Sequence, residues 1–337
     1  MSPKRDGGVV SGAVKEGIRV AHGSEIRTSV DQTTEPRDAD RAGVILARTP
    51  RQIFWQRLKR DRLAIAGALL VTLIILLALL APVFEHYVGH PYDEQYRHRL
   101  LNQFGTPVGP SAQFWFGGDD LGRDLFVRVL YGARTSLNIA VVATTLEVTI
   151  GTLLGMLSGL RGGWVDTIIS RIMDLILSVP TLLLGISLGI VLGGGEGLVI
   201  SILVFFGWPY LARIVRGQTL SLRETQFVEA AHSLGASSSW IMFREILPNL
   251  VAPIIVYATL LIPINVLVEA DLSFLGVGVT EPTPAWGTML SRATNYVSVG
   301  AAWWYMTFPG IALFLTVLGF NLLGDGLRDA LDPKTAA

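Results

Sequence analysis

The chain has 337 residues, half of them apolar and only 16% charged, and its 27 Lys and Arg balance its 27 Asp and Glu. A soluble domain carries about a quarter charged residues, so this composition marks a membrane protein. The balanced charge argues against a nucleic-acid partner. The absence of cysteine excludes a disulfide framework, a thiolate metal site and a catalytic thiol.

Residues 1–50 are polar, poor in aromatics and expected to form a disordered cytoplasmic extension. They do not read as a secretory signal, because the first apolar run comes too late and is too long. In 51–62, Ile53, Phe54, Trp55 and Leu58 interleave with Arg51, Arg57, Lys59, Arg60 and Arg62. That pattern suits either a short helix lying along the inner interface or a basic flank of the first span.

A helix needs about 20 apolar residues to cross the hydrocarbon core. Six stretches qualify: 63–84, 137–160, 175–195, 197–212, 246–268 and 303–324. Strand-like alternation is lacking, so the expected fold is an all-α membrane protein, a six-transmembrane-helix bundle. The basic cluster before the first span places the amino terminus in the cytoplasm. Six spans then bring Arg161, Arg171, Arg213, Arg216, Arg223, Arg244, Arg328 and Lys334 to the same side, so both termini are cytoplasmic. Residues 85–136 form the expected external loop, and 137–333 the core with spans two to six.

The polar segment 221–248 separates spans four and five. A rigid lever leaving the bilayer here would suit mechanical coupling to a cytosolic partner. Thr225 to Leu234 can form a short helix, Gly235 permits a positive-φ turn, and Ser237–Ser239 can cap a second helix. Pro248 falls near the start of span five, where a missing donor does little harm. Glu229 is the exposed charge available to a basic partner. Glu229-Ala230-Ala231, then Gly235, then Leu247-Pro248 resembles the EAA loop of permease subunits in ATP-binding-cassette importers. One position departs from that pattern, with Glu245 where the family often has Ile.

Other segments narrow the resemblance. Residues 117–137, with Gly118 in place of a usual Thr, look like the stretch before span two in dipeptide, oligopeptide and nickel permeases. Residues 272–287 and 321–333 are similar to the segment after span five and to the carboxyl end of the same group. Residues 60–67 fit its "C" subunit. This likeness, running from Arg51 to Pro333, implies the type I importer permease fold, in the cell membrane. It further implies a B-type second permease subunit, two cytosolic ATPase subunits and an extracytoplasmic peptide-binding protein. The implied activity is peptide import driven by ATP hydrolysed in the partners, with nickel or another small solute as the alternative substrate. The chain itself has no phosphate-binding Gly-rich loop, so no enzymatic role, catalytic residue, cofactor or bound metal is expected.

Several features carry two readings. Gly151, Gly155 and Gly159, and Gly185, Gly189 and Gly193, recur every four residues, which allows close helix packing inside the subunit or against a partner permease. Glu147 is an acid deep in span two. It is read as paired with Thr144 or Thr145 or as lining the translocation path, while an ion-coupled secondary transporter would use it as a proton relay. Asn265, one turn from Pro263 in span five, is the second path candidate. Asp174 and Glu269 are expected to reach water. His86, His90 and His98 belong to a solvated external loop. Pro180 and Pro263 are expected to kink spans three and five, and Trp303, Trp304 and Tyr305 to form an interfacial belt.

Overall fold

The computed structural model describes residues 50–298 and 300–331, with side chains from residue 54 onward. The amino-terminal extension up to residue 49, Pro333 and Lys334 lie outside the described residues.

A short helix, α1 (Pro50–Leu58), precedes α2 (Arg62–Leu79). Asp61 starts α2 by accepting from the backbone N–H groups of Leu63 at 2.9 Å and Ala64 at 3.1 Å, donors with no partner inside the helix. The segment between the first two spans is folded. It contains α3 (Ala81–Val88), α4 (Arg97–Leu100) and two isolated bridges, Leu101 with Pro107 and Gly118 with Asp124. Asp124 then caps α5 (Leu125–Arg161), so the helix that carries span two begins well before residue 137. Its 37 residues make a rod of about 55 Å, against a hydrocarbon core of about 30 Å. A good part of the rod therefore projects beyond the bilayer.

Span three is not one helix. α6 (Gly163–Leu177) and α7 (Thr181–Leu192) meet at a 78° bend, with Pro180 at the junction. Proline cannot donate to the preceding turn and its ring clashes with that carbonyl, so the expected kink becomes a break. α8 (Glu196–Arg223) is longer than the expected 197–212 and carries three arginines toward its end. The loop helix α9 (Gln226–Ser233) follows, then α10 (Ser238–Trp240), a π-helical turn over Ile241–Ile246, and α11 (Leu247–Phe274). The π-turn lies immediately before Pro248, which lacks a donor and would crowd a regular turn. Pro263 sits inside α11 without ending it. α12 (Trp286–Val297) and α13 (Trp303–Leu331) complete the fold. Among the described residues five helices are long and apolar enough to cross a membrane, six when the bent pair counts as one span.

The glycine stripe of α5 packs within the subunit. A Cβ on Gly155 would lie 2.6 Å from the Ala212 carbonyl oxygen, and one on Gly159 would lie 2.7 Å from Thr219 Cβ. These glycines let α5 and α8 approach backbone to backbone, the closeness that dispersion-driven packing in lipid requires. Gly185 likewise faces Leu272 and Gly189 faces Val277.

Three placements depart from the sequence expectations. Glu269 is fully buried. It accepts from Ser136 at 2.7 Å and Ser273 at 2.8 Å, two hydroxyls that replace water. Tyr305 is 1% exposed and donates to Asp120 at 2.8 Å, leaving Trp303 as the exposed member of its trio. His90 is buried, stacked on Phe114 at 4.4 Å with its Nδ1 2.7 Å from Asp124 Oδ2. For His90 the folded segment before α5 supplies the cover, for Tyr305 the apolar cluster of α2, α5, α12 and α13 does, and for Glu269 the packing of α5 on α11 does, none of which a helix taken alone reveals.

Candidate functional site

The 221–248 loop is fastened to the bundle by its apolar side. Val228 and Ala231 of α9 are buried with Met156, Leu211, Val215, Ile241, Ile246 and Leu250. Burying a valine contributes about 1.5–3 kcal/mol, so this packing fastens α9 to the bundle. Glu229 and Ala230 point outward and are exposed, as are Phe227, Leu234 and Trp240. Gly235 has φ +81°, the left-handed conformation that an L side chain resists. Its N–H donates to the His232 carbonyl, and Ala236 N–H reaches back to Ala231, closing the end of α9. Thr225 is the residue before α9, and Ser237 Oγ accepts from Trp240 N–H at 3.3 Å to start the next helix. Leu247 is half-buried and Pro248 exposed at the root of α11. A groove lined by Arg223, Glu224, Glu229 and His232 opens beside α9.

At this end of the bundle the spans are tied by ion pairs. Arg216 Nη2 donates to Asp166 Oδ2 at 2.7 Å, and Ser158 also donates to that carboxylate, joining α5, α6 and α8. Asp174 pairs with Arg213 at 2.7 Å, both side chains half-exposed.

Glu147 and Asn265, singled out separately in the sequence, are brought together. Asn265 Nδ2 donates to Glu147 Oε2 at 3.0 Å and to Thr144 Oγ1 at 2.9 Å. Thr145, the other hydroxyl considered, donates instead to the Val141 carbonyl. Glu147 is 0% exposed and Asn265 4% exposed, packed where Gly207 of α8 leaves room for the carboxyl group. Glu147 Oε1 has no hydrogen-bond partner among the described residues.

Sequence reasoning missed the ionic cluster at the other end of the bundle. Arg123 donates to Asp119 at 2.6 Å and to Glu281 at 2.7 Å. Arg128 Nε lies 3.2 Å from the same Asp119, and Arg292 reaches Asp120 at 2.9 Å and Glu281 at 3.3 Å. Burial pushes the Glu281 carboxyl up, but the Arg123 hydrogen bond and the charges of Arg128, Arg123 and Arg292 more than offset it and hold the group below its ordinary value. Burial also raises Asp124, against the lowering hydrogen bond from His90. The only hint in the sequence was the density of Asp and Arg over 119–128. His86 and His98 are exposed and stand apart from this cluster.

Comparison with known proteins gives these features a setting. Residues 151–337 match the family described as binding-protein-dependent transport system inner membrane component, and residues 49–103 match the N-terminal TM domain of oligopeptide transport permease C. The chain is 41% identical over 302 residues to the dipeptide transport system permease protein DppC of Alkalihalophilus pseudofirmus, covering 90% of this chain and 96% of that one. It is 46% identical over 289 residues to the glutathione transport system permease protein GsiD of Escherichia coli, covering 85% and 91%. In fold it is similar to the inward-facing MetNI methionine ABC transporter, with a TM-score of 0.51 at 21% identity over 61% of this chain and 97% of that one. The chain therefore belongs to the binding-protein-dependent inner membrane components, the permease subunits of ABC importers.

Proposed function

We propose that this chain is the C-type permease of an importer for dipeptides or oligopeptides. The observation that carries the substrate class is likeness over most of the chain to two permeases named for dipeptide and glutathione transport. In this reading the chain forms half of the translocation path with a B-type permease, rests on two cytosolic ATPase subunits and receives peptide from an extracytoplasmic binding protein. Both termini and the 221–248 loop face the cytosol, in keeping with the basic residues that cluster at that end.

The loop is the coupling element. Glu229 and Ala230 meet the ATPase, while Ala231 and Val228 transmit its movement through their buried contacts to α5 and α8. Gly235 sets the turn, and Leu247 and Pro248 hand the motion to α11. ATP binding closes the ATPases and drives the path outward, and hydrolysis resets it. Glu147 and Asn265 stand behind the wall of the path, buried in the bundle, where they tie span two to span five.

The test is ATP-dependent uptake of labelled peptide in vesicles holding this chain and its partners, with Glu229→Arg and Gly235→Pro beside wild type. Variants that assemble yet neither transport nor stimulate ATPase activity support the reading. Normal transport by either variant would sink the coupling assignment. Uptake without ATPase subunits would favour ion-coupled transport through Glu147, and uptake of nickel but not peptide would correct the substrate.

A further inference from the structure

The charges that hold the outer face together are paired, but two others nearby are not. The side chains of Arg134 on α5 and Glu196 at the start of α8 make neither a hydrogen bond nor an ion pair among the described residues. Arg134 is exposed and Glu196 half-buried. Both line one groove of about 600 Å³, together with Asn138 and Tyr131 of α5 and with Ile75 and Leu79 of α2. That volume falls within the range of about 300–1,000 Å³ typical of small-ligand sites.

The groove opens onto an unusual helix face. Below Arg134, the exposed side of α5 continues through Asn138, Thr145 and Thr149, with Val141, Val142 and Leu146 exposed between them. The two threonine hydroxyls satisfy themselves on the carbonyls of Val141 and Thr145, each at 2.7 Å. With Arg134 at the outer end of this stripe, Asn138 one turn further in is costly against lipid tails, so the stripe suits a water-filled path at its outer end.

We propose that the groove binds the zwitterionic backbone of a short peptide at the outer mouth of the path. Arg134 takes the terminal carboxylate, its planar fork matching both oxygens. Glu196 takes the terminal ammonium, Asn138 supplies a further polar contact, and Ile75 and Leu79 form an apolar wall for side chains. The proposal rests on the peptide-importer reading. It adds that the permease, and not only its binding protein, selects for free peptide ends.

The test uses the complete permease–ATPase complex in phosphatidylglycerol nanodiscs without binding protein, with labelled dialanine as the probe. Unlabelled dialanine, its C-terminal amide and its N-acetyl derivative serve as competitors. In wild type each blocked peptide should compete about tenfold or more weakly, the effect of losing one charge-assisted hydrogen bond. Arg134→Gln should abolish discrimination against the amide alone, and Glu196→Gln discrimination against the N-acetyl form alone. Arg134→Lys and Glu196→Asp should restore part of each preference.

Equal competition by all three peptides in wild type, or unchanged preferences in both variants, would overturn the proposal. So would loss of the second permease subunit from either purified variant, which would make these charges subunit contacts. If phosphatidylethanolamine in the nanodiscs abolishes dialanine binding, the groove belongs to that lipid's headgroup. Absence of dialanine binding would also overturn it; if wild-type vesicles with binding protein still import dialanine, the peptide reading survives that failure.

Discussion

Asn265 on α11 donates a hydrogen bond to Glu147 on α5 at 3.0 Å, although 118 residues separate them in the chain. The same amide reaches Thr144, so one side chain links spans two and five at two points. Asn265→Ala removes the donor and leaves a sealed carboxyl group without a partner. Interhelical hydrogen bonds in membranes contribute about 0.6–2 kcal/mol, and an orphaned acid raises the loss. We expect lowered thermal stability of the purified complex, with Glu147→Gln recovering part of it in the double variant. Strict additivity in that double-mutant cycle would rule out the coupling.

The α5–α8 glycines should be intolerant of side chains. Gly155→Ala places a Cβ 2.6 Å from the Ala212 carbonyl oxygen, which forces the helices apart. Overpacking of this kind costs about 1–3 kcal/mol. Gly217 on the same α8 has nothing within 4 Å of its would-be Cβ, so Gly217→Ala should be neutral or gain up to about 1 kcal/mol of helix propensity. Thermal unfolding of the two variants compares them directly, and equal melting temperatures would contradict the packing account.

Gly235 separates conformation from side-chain chemistry in the loop. At φ +81° a Cβ costs about 1–2 kcal/mol, while space is not limiting because nothing lies within 4 Å. Gly235→Asn, which tolerates this region, should therefore keep more transport-coupled ATPase activity than Gly235→Val. Equal activities in the two would show that the turn geometry is not what the loop needs.

The ionic cluster around Glu281 should be acid-labile. Glu281 ionises below its ordinary value in the folded chain, so the stability it contributes is fully present above the usual glutamate range of about 4.3 and is lost as pH falls below it. Protease protection of the 85–124 segment, followed from pH 7 to pH 3, should show this loss. Glu281→Gln should remove that pH step while lowering protection at pH 7. A step of unchanged size in the variant would assign it to other carboxylates.

Arg123 is the hub of that cluster, bonded to Asp119 at 2.6 Å and Glu281 at 2.7 Å. Arg123→Met leaves the fully buried Asp119 with Arg128 as its one remaining ion-pair partner, beside the backbone N–H groups of Leu121 and residue 123. Removing one partner of a buried pair typically costs about 3–5 kcal/mol. Arg123→Met with Asp119→Leu should be more stable than Arg123→Met by itself, read by thermal unfolding of the complex. A double variant less stable than the single one would argue that Asp119 is held chiefly by Arg128.

Much of this protein is written locally. Apolar runs long enough to cross a bilayer mark the spans, and the spacing from Thr225 through Gly235 to Ser237 foretells a helix, a turn and a second helix, whereas the caps at Asp61 and Asp124 emerge only with the structure. These features arise from hydrophobicity, capping and backbone strain, each decided within a few residues. Only the tertiary structure decided that Glu147 meets Asn265, that Arg123 meets Glu281 across 158 residues, and that Glu269, Tyr305 and His90 are covered. It also turned the proline of span three into a 78° break. A polar side chain's partner depends on which helices lie together and how they are rotated, and the chain fixes that only once glycine stripes and apolar faces have packed.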